Sequence, residues 1–219
     1  MRKNISILIP FEEKLNSYYG GAIARWVSEV YSKIDTYDVK ILGRICNDFN
    51  DYKTIQIISK YNNVFDFVIK LPYLRRLLAW FYCLAYIKDI KKSDAIEIHN
   101  SYNYIFILKK LNYEGKIILH MHNNYLENLN DNELKKISQN ISILITCSDF
   151  LREKIRDKSK ELYQKSFTVY NGFDEKQFQP VKEKNNKELS LGYVGRIDIN
   201  KGLHILLDLY ELLLIKIPT

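Results

Sequence analysis

The feature that most constrains this chain is the rhythm of its apolar residues. Apolar runs of strand length alternate with longer runs at helical spacing, the pattern of βα units laid into a parallel sheet. "ISILIP" reads as the first strand, "GAIARWVSEVYSKI" as the first helix, "YDVKILG" as the second strand and "TIQIIS" as the third. A long helix is expected over "YLRRLLAWFYCLAYIKDIK", then the strand "DAIEIH", the helix "YIFILKKL", the strand "KIILHMH" and the helix "DNELKKIS". The strand "ISILITC", the helix "DFLREKI" and the strand "KSFTVY" complete the series.

The polar stretch "NGFDEKQFQPVKEKNNKE" then interrupts the rhythm and has the Pro-bearing, charge-rich composition of a linker. Beyond it the pattern restarts with a strand, "LSLGYVG", and a helix, "LHILLDLYELLLIKI". The expectation is therefore an α/β protein. Residues 1–172 form a Rossmann-like, doubly wound parallel sheet, 173–187 a linker, and 188–219 the first βα unit of a second Rossmann domain that is only begun. The chain is 47% hydrophobic and 27% charged, so it has the apolar content to build a core and is not of the disordered class.

Two loops are placed to hold an anion. Gly20 and Gly21 lie between the first strand and the first helix, where backbone N–H groups and the positive end of the helix dipole favour phosphate. The pair matches neither the dinucleotide fingerprint nor a P-loop, and a tight βα turn explains it equally well. Gly195, Arg196 and Lys201 repeat the arrangement in the second unit: an Arg fork and a Lys point charge about one βα turn suit a diphosphate. Ligands of open α/β sheets bind beyond the carboxyl ends of the strands, where both loops are expected.

A third candidate cluster ends two strands. His120 and His122 share one face of "IILHMHNNY", with Asn123 beside them, and His99 and Asn100 end the preceding strand. No further ligand lies close in sequence, so no metal is expected, and a hydrogen-bonding or acid/base histidine fits better. Ser148 reads as a helix N-cap with Asp149 in the first turn.

The stretches "GGAIARWVSEV", "IILHMHN", "ITCSDFLREKI", "VYNGFDEKQFQP" and "GYVGRIDINKGLHILL" resemble, in order and spacing, the retaining glycosyltransferases of family four, which have the two-domain GT-B fold. The resemblance implies transfer of a sugar from a nucleotide-sugar donor with retained anomeric configuration and no metal or other cofactor. It implies that Gly20, Gly21, Arg196 and Lys201 contact the donor diphosphate, that His122 is catalytic beside the transferred sugar, and that Asn171 and Gly172 form a positive-φ turn at the domain junction. The acceptor implied is a lipid-linked or cell-envelope saccharide. The family's acidic donor-binding segment has no counterpart here, and the chain reads as truncated. That leaves two rival readings, a silent acceptor- or partner-binding fragment and a GT-B nucleotide-sugar epimerase.

The net charge of +7 permits acidic partners, but the aromatics show no RNA-binding pattern, so nucleic acid is not expected. Three scattered cysteines, no signal peptide and no apolar run of membrane-spanning length point to the cytoplasm. Basic residues flanking the apolar helix near residue 80 allow peripheral contact with the inner face of a membrane, although a sheet-covering helix explains it too. An incomplete second unit makes self-association, or a chain that completes it, a further expectation.

Overall fold

The computed structural model describes residues 2–15, 21–45, 55–60, 74–176, 178–180, 191–195 and 197–216. Gly20, Arg196 and most of the expected linker lie outside the described residues. The chain divides into two compact units, Met1–Gly172 and Phe173–Thr219.

The first unit is an α/β sheet domain. Its strands are β1 (Asn4–Leu8), β2 (Lys14–Leu15), β3 (Asp38–Leu42), β4 (Arg44–Ile45), β5 (Gln56–Ile58), β6 (Ala95–His99), β7 (Lys116–Met121), β8 (Ile143–Thr146) and β9 (Ser166–Thr168). Among the described residues its helices are α1 (Ala22–Tyr31), α2 (Arg75–Ile90), α3 (Asn103–Lys110), α4 (Asp131–Asn140), α5 (Asp149–Arg156) and α6 (Lys160–Gln164), with a 3-10 turn at Tyr125–Asn128. Seven strands form one sheet in the order β5-β3-β1-β6-β7-β8-β9, and every pairing in it is parallel. Strand order reverses between β1 and β6, so the topological switch point of a doubly wound sheet lies there.

Side-chain alternation divides the core into two layers. Leu8, Leu42, Ile96, Ile98, Leu119 and Met121 belong to one apolar cluster, which α2, α3 and α4 cover through residues such as Tyr82, Ile105 and Leu134. Ile7, Ile9, Val39 and Ile41 point the other way, against Ile23, Ala24 and Val27 of α1. Helix starts follow local chemistry. Asn130 and Glu133 form a capping box at α4, Ser148 accepts from the Leu151 N–H as expected, and Ser159 accepts from that of Leu162.

In the second unit a 3-10 turn, Ile199–Lys201, leads through Gly202 at φ 70° into α7 (Leu203–Lys216). The strand expected over "LSLGYVG" is absent at residues 191–195, where Leu191 and Val194 are exposed. A single strand has no ladder to receive its N–H and C=O groups, and its apolar pattern does not suffice. The positive-φ turn expected at Asn171 and Gly172 is likewise not found. Positive φ falls instead on Asn100, Asn112 and Gly202 among the described residues, and both junction residues are exposed and outside regular secondary structure.

Candidate functional site

Beside the switch point, on the α1 side of the sheet, the strand ends carry polar groups where the pattern calls for apolar ones. Ile96 and Ile98 commit one face of β6 to the core, so Glu97 and His99 must face α1. β7 runs in parallel register with His120 opposite His99, which sets His120 and His122 on that same face. Trp26 of α1 covers the group, its ring centroid 4.7 Å from His120, 5.4 Å from His122 and 5.6 Å from His99. His99 is 0% and Glu97 4% exposed, and His122 is half-buried at the rim.

The cluster is a hydrogen-bonded chain anchored on Glu97. Its Oε2 accepts from the Tyr31 hydroxyl, and its Oε1 lies 2.9 Å from His120 Nδ1. His99 Nε2 approaches the same Oε1 at 3.1 Å, too far out of line for a good hydrogen bond. On its other side His99 Nδ1 lies 2.9 Å from His122 Nε2. Burial would raise the Glu97 carboxyl, but bonding and charge from His120 and His99 outweigh it and hold the group below the usual carboxylate range. An ionised Glu97 orients His120 with Nδ1–H toward it; with the His99 Nε2–H facing the same oxygen, His99 Nδ1 accepts from His122 Nε2–H, and Nδ1 is the basic nitrogen of His122 in that arrangement. Burial, then the charges of His120 and His99, push His122 down to about 3, and burial also lowers His120. Tyr31 is raised by burial and by Glu97. At neutral pH a carboxylate thus lies at the base of the cluster and a neutral imidazole at its rim.

The loops complete the site. Asn100, in the left-handed region at φ 53°, donates its N–H to His120 O at 2.9 Å, while its Oδ1 accepts from His122 N–H at 2.7 Å. It therefore locks the two strand ends together. An open cavity of about 570 Å3 adjoins Asn100, walled by Glu12, Arg75, Arg76, Trp80 and Tyr102. At the start of α1, where a phosphate is expected, the protein supplies its own anion: Ala24 N–H donates to Glu13 Oε2 at 2.8 Å. A Cβ on Gly21 would meet the Glu13 carboxyl, so a larger residue there would require that flexible side chain to move. Burial raises the Glu13 carboxyl against the opposing pull of the Ala24 and Ile23 N–H groups and of His99.

Thus the structure brings His99, Asn100, His120 and His122 together, with His99 and His120 buried beneath Trp26 and His122 at the rim. Asn123 does not join them: alternation turns it to the opposite face, beside Met121 and Leu126, where its Oδ1 accepts from Tyr125 N–H. Asn171, exposed, lies one residue before the end of the first unit, and Lys201 lies in the second unit on the turn before α7. Glu97, Glu13 and Tyr31 are additional members of the site. The signal for Glu97 is visible in retrospect as a lone acid inside "AIEIH", two residues before a histidine and so on its face.

The three histidine side chains bring ring nitrogens within 4.8 Å of one another, close enough to consider a cation. Tetrahedral zinc needs nitrogens about 3.3 Å apart around one centre. Here the rings are stacked within 12° to 26° of parallel, and two of those nitrogens already share a hydrogen bond.

No protein-family model matches this chain. Spore coat protein SA of Bacillus subtilis strain 168 is 28% identical over a stretch covering 55% of this chain and 37% of that protein. Anabaena Alr3699/HepE, solved in complex with UDP, superposes with TM-score 0.47 at 12% identity over 78% of this chain and 44% of its own. An α,α-trehalose-phosphate synthase (UDP-forming) from Burkholderia vietnamiensis gives TM-score 0.37 at 11% identity, over 71% and 42%. The chain spans less than half the length of each of these proteins. Its fold is set by its own sheet: a parallel, doubly wound α/β domain whose switch point carries a Glu-His-His chain.

Proposed function

We propose that the chain carries part of the active site of a nucleotide-sugar-dependent glycosyltransferase with GT-B architecture. The observation that carries this reading is the buried Glu97–His120 pair with the His99–His122 pair stacked beside it at the switch point, joined through Asn100 to the edge of an open cavity, in a sequence whose motifs resemble family-four retaining enzymes. In this reading His122 would sit beside the transferred sugar, a neutral imidazole able to donate to or accept from its hydroxyls. Gly20, Gly21, Arg196 and Lys201 would hold the donor diphosphate and offset the charge that develops on it as the glycosidic bond breaks. For a diphosphate to reach the α1 N-terminus, Glu13 must swing aside. Retention of configuration, a lipid-linked or cell-envelope acceptor and a cytoplasmic setting belong to this proposal on the strength of the resemblance.

A second reading, a binding module without turnover, is favoured by one feature: Glu13 already fills the helix start that the donor would use. Calorimetric titration with UDP- and GDP-sugars separates the two. Saturable binding that is weakened in both Arg196→Ala and Lys201→Ala supports the transferase. Absence of binding at millimolar donor supports the module.

A further inference from the structure

We propose that the outward face of α2 is a docking face for an anionic lipid bilayer. One side of this helix supplies Leu78, Ala79, Tyr82, Cys83, Tyr86 and Ile90 to the core. A helix that covers a sheet needs no second apolar side, yet Leu77, Trp80, Phe81 and Leu84, at i, i+3, i+4 and i+7, form one. They are 52%, 36%, 54% and 49% exposed. Contiguous large apolar side chains left in water mark an interaction surface.

Charge chooses the partner. Arg75 and Arg76 stand exposed at one end of the stripe and Lys88, Lys91 and Lys92 at the other. Arg75 also reaches Glu12 at 3.1 Å, and the one acid within the helix, Asp89, is paired with Lys60. An apolar centre bracketed by cations matches acyl chains beneath anionic headgroups. Sixteen residues make a helix of about 24 Å, and no helix among the described residues is long and apolar enough to cross a membrane, so α2 lies along the surface. It also contributes Arg75, Arg76 and Trp80 to the wall of the cavity near Asn100. A docked bilayer therefore sits at that cavity's rim.

The test is co-sedimentation of the 219-residue chain with phosphatidylcholine vesicles, with and without phosphatidylglycerol, together with Trp fluorescence and brominated-lipid quenching. The assay needs no donor, so its outcome is separate from that of the sugar-transfer proposal. Expected are binding to the anionic vesicles and a blue shift with quenching that Trp80→Phe removes. Leu77→Ser/Phe81→Ser should lose at least tenfold in partitioning with an unchanged circular dichroism spectrum, and removing each Lys about fivefold. The proposal is overturned by any of three results: no binding to anionic vesicles at low salt, binding indifferent to Leu77→Ser/Phe81→Ser, or a self-associated chain that those substitutions turn monomeric, which would make the face a contact between copies.

Discussion

Replacing Glu97 by Gln keeps the shape of the side chain and removes its charge. In the native protein the carboxylate accepts from Tyr31 OH and from His120 Nδ1–H. The glutamine offers one oxygen and one NH2, so one of these two donors meets another donor. His120 can adapt by moving its proton to Nε2, which has no partner among the described residues, and the amide oxygen then keeps Tyr31 as a neutral bond. A hydrogen bond to a charged group contributes about 1.5–3 kcal/mol and a neutral one about 0.5–1.5 kcal/mol. Tyr31→Phe should therefore be more costly in the native background than in the Glu97→Gln background, by about 1–1.5 kcal/mol. Urea unfolding of the four proteins of this cycle at neutral pH, followed by Trp fluorescence, gives the coupling directly, because Trp26 packs on the histidines. A coupling within about 0.3 kcal/mol of zero would refute the ionised Glu97 and the chain built on it.

His122 and His120 are both lowered relative to their unfolded values, so the folded state binds their protons more weakly. Their contribution to stability is complete above pH ~6.5 and is lost as pH falls toward about 3. The slope is up to about 1.4 kcal/mol per pH unit for a buried group and smaller for the half-buried His122; urea midpoints for His122→Asn should decline less steeply with acid than those of the native protein. Glu13→Ala should free the α1 N-terminus and tighten nucleoside diphosphate binding by about 2- to 30-fold, read by calorimetry, while destabilising the fold by about 1 kcal/mol. Leu119→Ala, in a fully buried central strand, should cost about 2–5 kcal/mol in chemical unfolding.

The sheet was legible because its strands announce themselves: β1, β3, β6, β7 and β8 are apolar runs of four to six residues between turn signals. The pair β2–β4, two residues each, and the five-residue α6 are too short for any period to register. The strand expected over 189–195 failed where it was described because hydrophobicity does not provide a pairing neighbour. At the site, His99, Asn100, His120 and His122 could be read from strand ends. Glu97 shows only as a lone acid inside a strand, which looks like ordinary solvated charge until register and helix packing bury it, and Glu13, just before β2, falls in no periodic pattern. The exposed stripe of α2 was hidden for the opposite reason, since a helix apolar on two sides reads as fully buried.

Nitrogen-15 spectroscopy of the four histidine side chains, with and without UDP- and GDP-sugars, tests the central claim most directly. The account predicts that His122 is a neutral Nε2–H tautomer at neutral pH, hydrogen-bonded to His99, and that its resonances move saturably with one of the donors. His122 resonances that stay fixed at millimolar donor, or an Nδ1–H tautomer, would contradict it.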